Sequence, residues 1–302
     1  MLFMSTQRSA LHAVLALLSC TLLAFGGQPP DPARPAARTV LRVPILMYHY
    51  VSANPRYPGD PVRTCLSVTP AAFAAQLRYL RKAGYITITL DDLARALRDR
   101  APLPPKPVIL TFDDGYQDFF DNAYPLLKQY DDRATVYIIT GKVGHPGYMT
   151  WDELRTLSAS LLMTIGAHTR THPDLALLSP RRSWDELAGS KADLEARLGM
   201  AVRHLAYPAG EYSPATIEQA AEIGFETAVT TREGLDERAN GLLTLERVRV
   251  NGYSSLSDLI AGLAGKRALA HLAPRRSSLR LLCTKRAAWA LDGCQAGPAA
   301  RR

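Results

Sequence analysis

The most informative stretch of this sequence is Val108-Ile109-Leu110-Thr111-Phe112-Asp113-Asp114-Gly115. Its first five residues are apolar or β-branched without alternation, which predicts a strand covered on both faces, as in a parallel sheet. Two adjacent carboxylates and a glycine follow the strand directly. Because unpaired buried charge is costly, positive groups are expected next to Asp113 and Asp114.

Six similar runs alternate with amphipathic segments between residues 41 and 262. They are Val43 to Tyr48, Ile86 to Leu90, Ala134 to Thr140, Met163 to His168, Val202 to Tyr207 and Thr227 to Thr231. Helix starts are predicted where a capping oxygen precedes a proline, at Thr69-Pro70, Ser179-Pro180 and Ser213-Pro214. The alternation predicts an α/β barrel rather than an antiparallel sandwich. Reactive groups in such barrels lie at the C-terminal ends of the strands.

A second strand end carries two histidines. The run that starts at Met163 leads into His168-Thr169-Arg170-Thr171-His172. With Asp114, the two imidazoles provide the nitrogen and oxygen ligands that zinc accepts. Paired acids often cap helices, and histidines in loops are often solvated. Their occurrence together at the ends of two strands nevertheless favours a metal site.

Two further strand ends carry candidate functional groups. Tyr207-Pro208-Ala209-Gly210 predicts a turn that leaves the Ala209 amide free to donate, although an ordinary turn has the same composition. His49 ends the first strand. Alone it is typical of a packed or solvated histidine, but beside the other three strand ends it is a candidate acid.

The composition excludes several classes of protein. The chain has 302 residues, 47% hydrophobic and 21% charged, so it can bury a core and wholesale disorder is excluded. Four cysteines without a C-x-x-C pair do not indicate a disulfide scaffold, a zinc finger or a thioredoxin-like site. The net charge of +8 lies entirely between Lys266 and Arg302, where nine basic residues accompany Asp292. A nucleic-acid partner is therefore not expected.

The two ends of the chain predict export. The apolar run from Leu11 to Phe25 is shorter than the roughly 20 residues of a membrane span. We expect a signal peptide or N-terminal anchor in residues 1–27, a Pro-rich linker in 28–40, a folded domain in 41–262 and a basic tail in 263–302. The expected location is the periplasm, the cell envelope or the medium. The tail is either solvated or attracted to anionic lipid or an acidic polymer, and membrane association through either end is an alternative.

Residues 41 to 250 resemble the polysaccharide deacetylase family of metal-dependent carbohydrate esterases. That resemblance implies a distorted (β/α) barrel with seven or so parallel strands. The segment from Thr111 to Gly115 matches the first family motif, and the segment from His168 to His172 matches the second, H-[ST]-x-x-H. By this resemblance Asp113 is the general base, and Asp114 and the two histidines hold one divalent metal ion. Zinc is expected, with cobalt and nickel as alternatives.

The turn of Tyr207, Pro208, Ala209 and Gly210 resembles the third family motif, which implies contacts with the substrate and an oxyanion-binding Ala209 amide. Many members have an arginine where Ala206 stands and an aromatic residue where Ala209 stands. Arg247 and Arg249 are candidates to replace that arginine. The expectation for both, however, is a solvated position at a strand edge.

Leu46-Met47-Tyr48-His49 resembles a leucine and histidine motif that many members carry near the end of the domain. Its early position is similar to the circularly permuted poly-β-1,6-N-acetylglucosamine deacetylase branch. The resemblance implies hydrolysis of N-acetyl groups on an N-acetylglucosamine polysaccharide, with His49 protonating the departing amine. The alternatives are peptidoglycan, chitin oligomers or O-acetyl esters as substrates, or a non-catalytic sugar-binding protein of the same fold.

Overall fold

Residues 40–57 and 59–266 are described by the computed structural model of the chain. The expected signal peptide, almost all of the linker and nearly the whole basic tail lie outside these residues, and the domain boundaries stay predictions. No helix within the described ranges has the length and the apolar character needed to cross a membrane.

The described residues form twelve strands and eight α-helices. The strands are β1 (Val40–Arg42), β2 (Ile45–Tyr48), β3 (Tyr50–Val51), β4 (Ser67–Val68), β5 (Ile86–Thr87), β6 (Pro107–Phe112), β7 (Ala134–Ile138), β8 (Met163–Ala167), β9 (His204–Ala206), β10 (Thr227–Glu233), β11 (Asp236–Arg238) and β12 (Leu245–Arg249). The α-helices are α1 (Pro61–Leu66), α2 (Pro70–Lys82), α3 (Leu90–Asp99), α4 (Tyr124–Tyr130), α5 (Trp151–Ser158), α6 (Pro180–Leu198), α7 (Pro214–Glu222) and α8 (Leu256–Leu263).

Seven strands close into a parallel barrel. Around the ring the order is β2, β6, β7, β8, β9, β10 and β12, and β12 pairs with β2 to complete the circle. Between β12 and β2, Val248 lies opposite Leu46, and between β2 and β6, Ile45 lies opposite Ile109. The sequence-based prediction of a (β/α) barrel with about seven parallel strands is therefore confirmed.

One member of the ring differs from the sequence-based prediction. All seven predicted strands form, but β5 pairs only with β6 and lies outside the ring. The seventh barrel strand is β12, which was not predicted. Three of its five residues, Glu246, Arg247 and Arg249, are charged, and this composition does not indicate a strand inside a closed barrel.

Alternate residues of the barrel strands belong to two separate buried clusters. One cluster includes Ile45, Ile109 and Leu245, which lie on three different barrel strands, so we assign it to the barrel interior. Residues of α3 belong to the same cluster. The other includes the neighbouring residues Leu46 and Leu110 and packs under the surrounding helices. Each strand is thus covered on both faces, which explains its largely apolar sequence.

Most of the predicted helix starts are confirmed. Thr69 caps α2 by accepting a hydrogen bond from the Ala72 amide, and Ser213 caps α7 in a reciprocal capping box. Ser179 occupies the same position before α6, but its side chain makes no capping hydrogen bond. The expectation of a capping oxygen was therefore wrong for Ser179, although the helix begins at the predicted proline.

Glu237 is a buried acid in the ribbon formed by β1 and β11, where it lies opposite Leu41. Burial raises its pKa to about 8, and one carboxyl oxygen has no hydrogen-bond partner. An unfolded glutamate has a pKa near 4.5. Between these two values the folded state holds one more proton than the unfolded state, so the free energy of unfolding falls as the pH rises.

Replacing the Glu237 carboxyl with an amide is expected to remove this pH-dependent decrease in the free energy of unfolding. Glu237→Gln should raise the melting temperature at pH 8 by about 3 °C or more and reduce its decline between pH 5 and pH 8.5. Thermal unfolding across this range measures the effect. Glu218→Gln, at an exposed position on α7, should keep the wild-type decline. An unchanged decline in Glu237→Gln would contradict the assignment.

Candidate metal centre and active site

The candidate site lies at the C-terminal end of the barrel, here called the mouth. His49 follows β2, Asp113 and Asp114 follow β6, His168 follows β8, and Ala209 lies just beyond β9. Because all the barrel strands are parallel, their C-terminal ends meet at this one end. Segments far apart in the sequence therefore contribute to a single site.

Three side chains at the mouth form a cluster suited to a divalent cation. Ligand atoms of Asp114, His168 and His172 all lie within 4.8 Å of one another. Oδ1 of Asp114 is 3.3 Å from Nε2 of His168 and 3.6 Å from Nε2 of His172. One carboxylate and two imidazoles match the donor types that zinc binds, so the residues present fit such an ion.

A carbonyl group fixes the orientation of His168. Its Nδ1 lies 2.7 Å from the Ala206 carbonyl oxygen. Since a carbonyl only accepts, Nδ1 carries a hydrogen, and Nε2 is the ring nitrogen that faces Asp114. Burial alone would lower the pKa of His168, but the hydrogen bond and charge of Asp114 raise it.

Neighbouring groups in the cluster also shift the pKa values of Asp114 and His172. Burial would raise the pKa of Asp114, but the hydrogen bond from His168 and the charges of the nearby histidines hold it well below its usual range. For His172, burial and the neighbouring His168 lower the pKa. The cluster therefore combines an ionised carboxylate with an imidazole that favours its neutral form.

The backbone at the mouth adopts conformations that side chains disfavour. The φ angles are 77° at Asp114, 63° at Thr169, 62° at His172 and 56° at Ala209. Such left-handed angles cost about 1–3 kcal/mol each for residues other than glycine and concentrate at functional sites. Gly115 also has a φ of 77°, and a Cβ there would lie 3.0 Å from Ile138. The tight turn after β6 thus requires glycine at this position.

Asp113 forms a buried ion pair with Arg247 on β12. Nη1 and Nη2 of the arginine donate to the two carboxylate oxygens at 2.8 and 2.7 Å. Arg247 is 0% exposed, and its other donors bond the Thr230 carbonyl and the Thr111 hydroxyl. Burial would raise the pKa of Asp113, but the charge and hydrogen bonds of Arg247 lower it. Asp113 is therefore a carboxylate at neutral pH.

The expectation that Arg247 is a solvated residue at a strand edge was wrong. The sequence gives no local indication that Arg247 is buried, because its partner Asp113 is 134 positions away. The alternative, in which Arg247 replaces the arginine absent at Ala206, agrees with this ion pair. Arg249 is half-buried at the C-terminal end of the same strand, so its expected solvated position was also incorrect.

His49 is a second side chain next to Asp113. Its Nε2 is 3.9 Å from Oδ2 of Asp113, and its Nδ1 is buried without a hydrogen-bond partner in the described part of the chain. Burial lowers the pKa of His49 to about 4, although the charges of Asp113 and Asp114 act in the opposite direction. The imidazole is thus neutral at pH 7.

The predicted third-motif turn forms a short 3₁₀ segment, Pro208–Gly210. No acceptor for the Ala209 amide occurs within residues 40–57 and 59–266, which leaves this donor free. The Tyr207 ring is fully buried against Tyr212, and its hydroxyl donates to the Leu243 carbonyl. Any contact of this turn with a substrate would therefore come from its backbone rather than from the Tyr207 side chain.

Three tyrosines that sequence analysis did not single out border the cluster. Tyr50 and Tyr116 stack with ring centroids 3.7 Å apart, and Tyr148 packs against Tyr116 at 5.1 Å. Burial and the charge of Asp114 raise the pKa of Tyr116. Tyr50 directly follows His49, and Tyr116 directly follows the glycine of the first motif. These positions in the sequence could have indicated that both tyrosines lie near the cluster.

Comparison with known proteins identifies the family. Residues 100–228 match the family model described as polysaccharide deacetylase. YxkH of Bacillus subtilis strain 168, a provisionally named polysaccharide deacetylase, is 33% identical over 210 residues, which make up 70% of this chain and 72% of YxkH. The chain belongs to the polysaccharide deacetylase family.

Two further relatives extend this result. The Streptococcus pyogenes deacetylase PplD in complex with acetate is 35% identical and superimposes with a TM-score of 0.69 over 74% of this chain and 99% of PplD. The poly-β-1,6-N-acetyl-D-glucosamine N-deacetylase of Staphylococcus aureus strain MSSA476 is 28% identical over 144 residues, 46% of this chain and 48% of that protein. This member of the polysaccharide deacetylase family is accordingly a hydrolase.

The family match does not cover the whole mouth. Residues 100–228 include Asp113, Asp114 and both histidines of the cluster, but neither His49 nor Arg247. Those two residues come from β2 and β12, which are neighbours in the barrel. In this polysaccharide deacetylase, the first and last barrel strands therefore supply two groups that lie next to Asp113.

The Asp113–Arg247 pair is expected to dominate the stability of the mouth. Arg247→Gln should lower the free energy of unfolding by about 3–5 kcal/mol, because it leaves a buried carboxylate without its cation. The double variant Asp113→Asn/Arg247→Gln should lose less than Arg247→Gln alone. Urea unfolding of the two variants measures this, with Arg181→Gln, at an exposed position on α6, as control. Equal losses in both variants would contradict the view that the unpaired Asp113 carboxylate causes the loss.

Proposed function

We propose that this protein hydrolyses N-acetyl groups of an N-acetylglucosamine polysaccharide, with a divalent cation held by Asp114, His168 and His172. The observation that carries the proposal is the arrangement of these three donors beside an ionised Asp113 at one barrel mouth. Zinc is the ion that we expect, and cobalt or nickel would also suit the ligands. Such an ion would lower the pKa of a bound water toward about 7 and polarise the acetyl carbonyl.

Asp113 acts as the general base in this proposal. Arg247 keeps its carboxylate ionised and holds it with two hydrogen bonds, so the base has a fixed position. Asp113 takes a proton from the attacking water as the new carbon–oxygen bond forms. The free Ala209 amide donates to the oxyanion that develops on the acetyl carbonyl.

His49 serves as the acid for the leaving amine. An amide nitrogen leaves poorly unless it is protonated, so a proton must reach it as the carbon–nitrogen bond breaks. His49 is neutral before the reaction, and Asp113 lies 3.9 Å from its Nε2. The proton that Asp113 takes from water therefore passes to His49 and then to the nitrogen, leaving acetate and an amine on the sugar.

The poly-β-1,6-N-acetyl-D-glucosamine N-deacetylases among the relatives make the β-1,6-linked polymer the first substrate to assay. We further propose that the chain acts after export, in the cell envelope or outside it, where such polymers occur. The turn of Tyr207, Pro208 and Gly210 contributes to substrate binding through its backbone and by positioning Ala209.

Replacement of the base tests the mechanism. Asp113→Asn should reduce acetate release from the β-1,6-linked polymer by at least about 100-fold, because the amide cannot accept the proton. The Asn oxygen can still accept from Arg247, so the fold and the metal content should persist. Acetate release, metal content and circular dichroism are measured together. Retained deacetylation in a folded, metal-loaded variant would refute the role of Asp113.

Replacement of a ligand tests the metal centre. His168→Ala should lose bound metal, and acetate release should stop in that variant and in wild-type protein treated with a chelator. Zinc, cobalt or nickel should restore only the chelated wild type. His145→Ala, which removes an exposed histidine, serves as the matched control and should retain its metal. Full metal content in His168→Ala, measured by elemental analysis, would remove His168 from the ligand set.

A further inference from the structure

Arg249 is the second arginine that β12 directs toward the mouth. Leu245, Arg247 and Arg249 are alternate residues of this strand, and the first two lie in the barrel interior. Side chains two positions apart point to the same face of a strand. Arg249 therefore lies one layer nearer the mouth than the Asp113–Arg247 pair. In the neighbouring strand its partner is Met47, two residues before His49.

The two arginines differ in their contacts. Every nitrogen of the Arg247 guanidinium donates a hydrogen bond. Arg249 has no side-chain hydrogen bond and no ion pair with any residue in 40–57 or 59–266. The acids whose charges act on it are Glu233 and Asp113, and neither pairs with it. Asp113 is already fully engaged by Arg247.

Arg249 is also partly withdrawn from water. Its side chain is half-buried, and burial together with the charge of Arg247 lowers its pKa. The charge of the same guanidinium contributes to the lowered pKa of His49. A partly desolvated cation without a partner is costly, and an anion that binds there offsets this cost.

Arg249 has no role in the proposed hydrolysis of the amide bond. The water, the oxyanion and the leaving amine are served by Asp113, Ala209 and His49. The N-acetyl group and the sugar hydroxyls are neutral and do not require a full positive charge. A planar carboxylate, in contrast, matches the planar donor fork of a guanidinium.

We propose that Arg249 binds a carboxylate substituent of the glycan close to the N-acetyl group that is removed. The preferred substrate is then an N-acetylglucosamine glycan that carries negative charge. This inference rests on the proposed function and narrows its substrate class.

Matched oligomers test the inference. One preparation of a β-1,6-linked N-acetylglucosamine pentamer is O-carboxymethylated, and a second is O-hydroxyethylated to the same degree as a neutral control of similar size. The wild-type protein should show a ratio of kcat/KM, carboxymethyl over hydroxyethyl, of about tenfold or more at low ionic strength. Added salt should reduce this ratio. A wild-type ratio near one would overturn the inference.

Variants show whether Arg249 is responsible for the ratio. Arg249→Gln should bring it to about one, and Arg249→Lys should keep part of it because the charge remains. Arg181→Gln, the same substitution at an exposed arginine on α6, should keep the wild-type ratio. A ratio that persists in folded Arg249→Gln would overturn the inference. If the wild type releases acetate from neither oligomer nor from the unmodified polymer, the proposed function itself fails.

Discussion

The buried pair of Asp113 and Arg247 is the interaction on which the mouth of the barrel depends. It connects the end of β6 to β12, with β2 between them in the ring. Arg247 also holds Thr111 on β6 and the Thr230 carbonyl on β10. A fully buried cation is tolerated only when its donors are satisfied. The position of Asp113, the proposed base, therefore depends on the presence of β12 in the barrel.

This requirement explains why the order of segments along the chain can change without altering the site. The first barrel strand, β2, and the last, β12, are hydrogen-bonded neighbours. Because β2 is the first barrel strand in the sequence and β12 is the last, both His49 and Arg247 lie next to Asp113. Because the mouth depends on the spatial neighbours of β6, the histidine strand can occur early in the sequence, as it does here.

The sequence allowed the parts that rest on local patterns to be predicted. Apolar runs located six of the seven ring strands, and the spacing of His168 and His172 after β8 indicated the cluster with Asp114. The strand β12 was not predicted, because the partner that makes Arg247 compatible with burial is far away in sequence. Likewise, composition could not show that the Tyr207 ring points into the core. Long-range pairing decides burial for such polar residues.

The alanine at position 206 and the arginine at position 247 are best understood together. The Ala206 side chain lies in the interior cluster, and its carbonyl orients His168. The resemblance of the turn after Ala206 to the third family motif implies an arginine at the position of Ala206. Here the guanidinium that binds Asp113 enters from β12 instead. Two buried arginines beside one carboxylate would leave one charge unpaired, which is strongly unfavourable. A small residue at 206 therefore follows from the choice of β12 as the source of the cation, and it keeps the interior free for the Arg247 side chain.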